Sequence, residues 1–163
     1  MVSHESALDL WELSDVVPAA VHLTVPRFYR SRTKRSLAGV VIHTTSRELV
    51  GDDVRRQHGI RLTSPERTLL DAAEDGTQPE QIERAIGQAF SRGWIDPARL
   101  RERAEQRGTR VANLIARSLA AAEATAQASC ATIANEGAVF LDALGNRFEL
   151  SRDRAAALEF GKA

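Results

Sequence analysis

Apolar and polar residues alternate in the first half of the chain in a way that predicts a small sheet. The segment Val21-His22-Leu23-Thr24-Val25 alternates and stops at Pro26, as a half-buried strand does. A β-branched run at residues 40–43 predicts a second strand. Two further short runs, 54–57 and 60–63, flank His58-Gly59, where glycine suits the tight turn of a hairpin. These segments predict a mixed or antiparallel sheet within residues 21–63.

Apolar residues recur at helical spacing in five other segments, which predicts helices. The clearest start is Ser64-Pro65-Glu66, where a capping hydroxyl, a first-turn proline and an acid follow one another. Ser3 stands in the capping position of the first helix. The predicted helices cover residues 3–13, 64–75, 79–93, 96–108 and 109–128.

Together these elements predict an α/β (α+β) fold, with a small sheet packed against several helices. Residues 1–118 form the predicted main domain, and residues 119–163 an Ala-rich helix followed by a tail of unassigned role. In that tail, residues 139–141 and 147–150 predict a C-terminal β-hairpin appendage, and Ser151 is placed to cap a last helix. The predicted core residues are Trp11, Leu23, Val25, Val41, Leu62, Leu69, Leu70, Ile82, Ile86 and Phe90.

Composition narrows the function classes. The chain has 163 residues, a formal net charge of zero and a single cysteine, Cys130. Zero net charge argues against whole-domain DNA binding, because phosphate neutralisation supplies most of the affinity of such proteins. One cysteine excludes an internal disulfide framework. Without a signal-peptide or membrane-span pattern, we expect a cytoplasmic protein that does not bind membranes.

A basic run between the first two predicted strands is the candidate contact surface. Cations there can contact phosphate or an acidic partner, and neighbouring aromatic rings can stack on bases. The alternative is an ordinary solvated loop. The candidate contact residues are Arg27, Phe28, Tyr29, Arg30, Arg32, Lys34 and Arg35.

No pattern for catalysis, a cofactor or a metal is visible. The four histidines, His4, His22, His43 and His58, show no metal-ligand spacing, although His22 and His43 fall on strands that can be neighbours. We therefore expect a non-enzymatic protein with no catalytic residues, no cofactor and no metal. The polar segment 64–71 is interpreted as a helix cap with an Arg67–Asp71 pair that contributes only a few tenths of a kcal/mol.

The order of these segments resembles the C-terminal domain of AbiEi-type antitoxins over about residues 2–118. The most distinctive stretches are Val21–Pro26, the "HLTVP" strand, and Ile60–Asp71, the "IRLTSPERTLLD" segment. The resemblance implies a transcriptional-regulator and antitoxin domain of a bacterial type IV toxin–antitoxin or phage-defence system. Its implied partner is a nucleotidyltransferase-like toxin or the nucleic-acid target of that toxin.

Relatives of this kind usually carry a winged helix-turn-helix before the domain, and the present sequence starts where that head would end. We therefore do not expect specific DNA binding from the chain alone. Two alternatives stay open at this point: a nucleic-acid-binding fragment that uses residues 27–35, and a truncated remnant without activity.

Overall fold

A computed structural model describes residues 1–13, 15, 17–29, 37–46, 49, 51–136, 138–141 and 147–150. The chain divides into two compact units, residues 1–122 and 123–163. Among the described residues, no helix combines the length and apolar character that a membrane span requires. The domain boundary expected at residue 118 stays a prediction.

Two strand pairs form the sheet of the first unit. The first pair, β1 (Val21–Pro26) and β2 (Val40–Thr45), is parallel, and the second, β3 (Val54–Gln57) and β4 (Ile60–Thr63), is the expected antiparallel hairpin. Val2 joins the two pairs, with an antiparallel bridge to Leu23 and a parallel bridge to Leu62. The sheet is therefore mixed, and its central position is held by a residue that had no predicted strand.

The described residues contain five α-helices, as the apolar spacing predicts. The first ends three residues before the predicted boundary and the last continues eight residues beyond it. Their bounds are α1 His4–Leu10, α2 Pro65–Asp75, α3 Pro79–Ser91, α4 Pro97–Glu105 and α5 Thr109–Glu136.

The two ends of α2 show why the sequence folds locally as predicted. At its start, Ser64 Oγ accepts a hydrogen bond from the Arg67 amide at 3.4 Å, and Pro65 occupies the first turn, where no amide hydrogen is needed. At its end, Gly76 adopts the left-handed conformation (φ 98°) that glycine enters without strain. Ser3 occupies the N-cap position of α1, as expected, but its side chain makes no capping hydrogen bond.

The apolar core of the first unit is built by the helices. Of the ten predicted core residues, five are fully buried: Leu62, Leu69, Leu70, Ile82 and Ile86. Trp11, Leu23, Val25 and Phe90 are half-buried. Val41 was wrongly predicted, because its side chain is 39% exposed on the polar side of β2.

The core also contains residues that were not on the predicted list. They come from α1, the residues just after it, and α4 and α5, where they occupy the apolar stripe of each element. Examples are Leu8, Leu13, Leu100, Ile115 and Leu119.

The described hairpin of the second unit pairs β5 (Ala138–Leu141) with β6 (Arg147–Leu150) in antiparallel register. This agrees with the predicted C-terminal hairpin. The final helix predicted from Ser151 lies outside the described residues.

Candidate functional site

A polar cleft of about 390 Å³ opens beside β2 and α2 in the first unit. His43 and threonines of the parallel strands line the cleft together with His4 of α1, four charged residues of α2 and Arg107. The lining residues used below are His4, His43, Arg67, Asp71, Asp75 and Arg107.

Three histidines converge at this cleft. In the register of the parallel pair, Thr24 lies opposite His43 and Val41 lies opposite His22, so the two histidines are diagonal neighbours on one face. His22 Nδ1 and His43 Nε2 are 3.0 Å apart, within hydrogen-bond distance. The sequence-based expectation that these two residues can be neighbours is thus confirmed.

His4 supplies the third ring from the first residue of α1. Its imidazole stacks on that of His43, with ring centroids 3.6 Å apart and planes inclined by 16°. The residue adopts a positive φ of 53°, a region that is uncommon for non-glycine residues although histidine is enriched in it. The fold therefore holds His4 in a conformation that costs free energy, as residues at functional sites often are held.

Ser3 contributes to this arrangement instead of capping α1. Its hydroxyl oxygen accepts a hydrogen bond from Thr24 Oγ1 at 2.7 Å and lies 2.8 Å from His4 Nδ1. All three residues are buried. Because a hydroxyl oxygen has two lone pairs, Ser3 can accept from both Thr24 and His4. This contact gives Nδ1 of the His4 ring a hydrogen-bond partner.

Burial disfavours the protonated form of the His4 and His43 imidazoles. The low-polarity surroundings, together with the nearby His43, lower the pKa of His4 from 6.5 to about 3. Burial also lowers the pKa of His43, although the Asp75 carboxylate opposes this effect. His43 Nδ1 lies 3.7 Å from Asp75 Oδ1 at the end of α2. At neutral pH, both rings therefore carry a free lone pair.

A ring nitrogen of His4, a ring nitrogen of His43 and a carboxylate oxygen of Asp75 all lie within 4.8 Å of one another. Imidazole nitrogen and carboxylate oxygen are ligands that zinc and similar ions accept in proteins. Sequence spacing does not reveal this set, because the three residues belong to α1, β2 and α2. The one available signal was the placement of two histidines on adjacent strands.

Arg67 lines the cleft and connects α2 to Asp53, which lies just before β3. It is buried (2% exposed) and donates through Nε to both carboxylate oxygens of Asp71, at 2.9 and 2.8 Å. It also donates through Nη1 to Asp53 Oδ2 at 3.0 Å. Burial opposes its charge, but Asp71 and Asp53 more than compensate, so the pKa of Arg67 is raised.

Further ion pairs extend this network. Arg107 contacts Asp71 Oδ1 at 2.9 Å, and Arg103 binds Asp53 and, at 3.2 Å, Glu66 Oε2. The few tenths of a kcal/mol expected for the Arg67–Asp71 pair apply to exposed i,i+4 pairs, whereas both of these side chains are buried. Removal of Arg67 would leave the buried Asp71 carboxylate with Arg107 as its remaining ion-pair partner.

The structure describes only the beginning of the basic segment, defined here as residues 27–35. Arg27, Phe28 and Tyr29 form a 3₁₀ turn directly after β1. Arg27 is exposed, and the Phe28 side chain is 74% exposed. Arg30, Arg32, Lys34 and Arg35 lie outside the described residues. Because β1 and β2 are parallel, the segment leaves one end of the strand pair, and β2 begins at the opposite end.

Comparison with protein families gives a match to the AbiEi antitoxin C-terminal domain over residues 1–121. The chain therefore belongs to this family, whose members are antitoxin components of toxin–antitoxin systems. The matched range ends one residue before the end of the first compact unit, so it includes the polar cleft and the ion-pair network. No curated protein matches the chain.

Proposed function

We propose that the chain acts as the antitoxin domain of a type IV toxin–antitoxin system and counteracts a nucleotidyltransferase-like toxin without catalysis of its own. The observation that carries the proposal is the family match, which covers the whole of one compact unit except its last residue. A match over a complete folded unit supports transfer of the general antitoxin role. The nature of the toxin rests on the family resemblance.

The basic segment is the proposed contact surface. It places five cations within nine residues, and two aromatic residues accompany them. Where the structure describes it, Arg27 and Phe28 are exposed next to the end of β1. Such a surface can bind an acidic patch on the toxin, or the RNA or nucleotide that the toxin handles.

Co-expression with a cognate nucleotidyltransferase-like toxin tests the proposal. Wild-type chain should restore growth of cells that produce the toxin. Alanine at the five cations of the basic segment should weaken rescue, and circular dichroism of the purified variant checks that it is folded. The altered residues are Arg27, Arg30, Arg32, Lys34 and Arg35.

A matched control variant removes the same number of positive charges from other positions, so it distinguishes an effect of the basic segment from an effect of net charge. Five arginines that are exposed elsewhere in the first unit can be replaced by alanine together, and this variant should rescue as well as wild type. Its positions are Arg55, Arg56, Arg61, Arg110 and Arg117. Equal rescue by both variants would remove the basic segment from the proposal, and failure of the wild type would contradict the antitoxin role.

The chain alone should bind double-stranded DNA only non-specifically, with a Kd of roughly 10⁻⁴–10⁻⁶ M at physiological salt. The reason is its formal net charge of zero. A gel-shift titration at two salt concentrations measures this. Tight, sequence-selective binding would favour a nucleic-acid-binding role for the basic segment in place of antitoxin activity.

A further inference from the structure

We propose that His4, His43 and Asp75 form a binding site for a single divalent transition-metal ion of the zinc type. The three residues lie on α1, β2 and α2, and one donor atom from each falls within 4.8 Å of the other two. Nothing in the antitoxin role requires such a site, so the inference goes beyond the proposed function and does not depend on it.

The surroundings of the three donors favour a cation. The cleft lining contains two arginines and three carboxylates, and the arginines are already engaged by Asp71, Asp53 and Glu74. Asp75 is not among the partners of those arginines, and it faces His43.

Neighbouring groups orient both histidine ligands. When His43 binds a metal through Nδ1, its Nε2 keeps the proton and donates it to His22 Nδ1, 3.0 Å away. When His4 donates Nδ1–H to Ser3 Oγ, its Nε2 is the nitrogen left for the metal. Partners that hold the second ring nitrogen are a regular feature of metal-binding histidines.

Metal binding requires a local adjustment of the rings. Imidazole lone pairs lie in the ring plane, and the planes of His4 and His43 are stacked 3.6 Å apart at only 16°. The rings must therefore rotate so that both lone pairs point at one ion. Three protein ligands would leave a fourth tetrahedral position for water or another ligand.

Nitrogen-containing ligand sets select zinc, cobalt, nickel or copper over magnesium and calcium. The metal should also stabilise the fold, since it would tie three elements together and bind only the folded chain. After treatment with EDTA and desalting, the full chain should bind one Zn²⁺ or Co²⁺ per molecule, measured by equilibrium dialysis with elemental analysis. The thermal unfolding midpoint should rise with Zn²⁺ and not with Mg²⁺.

Asp75→Asn is the decisive variant, because the Asp75 side chain is 45% exposed at the end of α2 and its loss should leave the fold intact. It should weaken Zn²⁺ binding at least tenfold and abolish the rise in midpoint. His22→Phe removes the acceptor for His43 Nε2 and should weaken binding by about 10- to 100-fold, the usual effect at positions that support a ligand.

The control is His58→Ala, which removes the exposed histidine of the β3–β4 turn. This variant should bind one Zn²⁺ with unchanged affinity. The inference is overturned if wild type retains no Zn²⁺ at micromolar free metal, or if Asp75→Asn binds Zn²⁺ as tightly as wild type. If His58→Ala weakened Zn²⁺ binding as much as Asp75→Asn does, this would likewise show that the metal binds elsewhere.

Discussion

The apolar cluster of the first unit buries aliphatic side chains from the helices, whereas the residues around the polar cleft bury hydroxyls, the His4 imidazole and the Arg67–Asp71 ion pair. The apolar cluster draws its members from α1 to α5 and the residues after α1 and α3, and none from a strand. On the polar side, Thr24 is 2% exposed and hydrogen-bonded to Ser3, and His4 is 7% exposed and stacked on His43. The two regions bury side chains to a similar extent by different interactions.

Because the interactions differ, we expect the two regions to respond differently to substitution. Aliphatic burial is non-directional and scales with area, so the helical core needs only residues of suitable size at suitable spacing. Polar burial requires a partner for each donor and acceptor, and a missing partner costs the full desolvation of the group left behind. We therefore expect the largest single-residue effects in the ion-pair network, followed by those in the apolar core.

Arg67→Ala tests the polar region most severely. The substitution leaves the buried Asp71 carboxylate without the two hydrogen bonds from Nε and should lower the free energy of unfolding by about 3–5 kcal/mol. Urea denaturation followed by circular dichroism measures the change. Arg84→Ala, which removes an exposed pair with Asp15, should cost about 0–1 kcal/mol. Equal decreases in the free energy of unfolding for both variants would show that burial does not make the Arg67 ion pairs more important than the exposed pair.

Leu70→Ala probes the apolar core in the same assay. Leu70 is completely buried in α2, and its truncation should lower the free energy of unfolding by about 2–5 kcal/mol, through lost transfer free energy and a cavity. Val41→Ala, at a side chain that is 39% exposed, should change it by about 0.5 kcal/mol. A loss at Val41 as large as that at Leu70 would show that β2 belongs to the apolar core after all.

Asp53→Asn should give a smaller effect than Arg67→Ala or Leu70→Ala, because the Asp53 side chain is 20% exposed, and the effect should depend on pH. Burial alone would raise the pKa of Asp53, but hydrogen bonds and charge attraction from Arg103 and Arg67 lower it below its ordinary value. A carboxyl with a depressed folded-state pKa stabilises the protein above its unfolded pKa, about 3.9. That stabilisation is lost as the pH falls through the folded-state pKa.

The difference in stability between wild type and Asp53→Asn should accordingly be present at pH 6 and shrink steadily as the pH is lowered below about 4. Urea denaturation of both proteins across this range provides the measurement. A difference that stays constant over the whole range would show that the carboxylate charge of Asp53 does not contribute.

Much of the fold could be predicted because its signals are local. Helical spacing of apolar residues located all five helices, and Ser64, Pro65 and Gly76 marked the two ends of α2 through their own backbone and side-chain chemistry. His58-Gly59 likewise identified the β3–β4 hairpin. The predicted ends of α1 and α5 differ from the observed ends by three and eight residues. No glycine or proline marks the end of α1 as Gly76 marks the end of α2.

The candidate site was less predictable, since its residues are far apart in the chain. The Arg67–Asp71 pair is visible at i,i+4, but its burial depends on Asp53 and Arg107, which approach only in the folded unit. The exposure of Val41 depends on what covers its face of β2 in the folded unit. Their alternating residues could predict strands, but not which strand lies beside which or which face is covered.

By itself, the sequence determined the helices, the strands, the β3–β4 turn and the membership of the family, because each depends on neighbouring residues or on the order of segments. Tertiary structure alone decided that Val2 would join two strand pairs and that Ser3 would hold His4 instead of capping α1. It also decided that His4, His43 and Asp75 would meet. The physical reason is that hydrogen bonds and charges act over a few ångströms, and sequence separation does not specify which distant groups reach that distance.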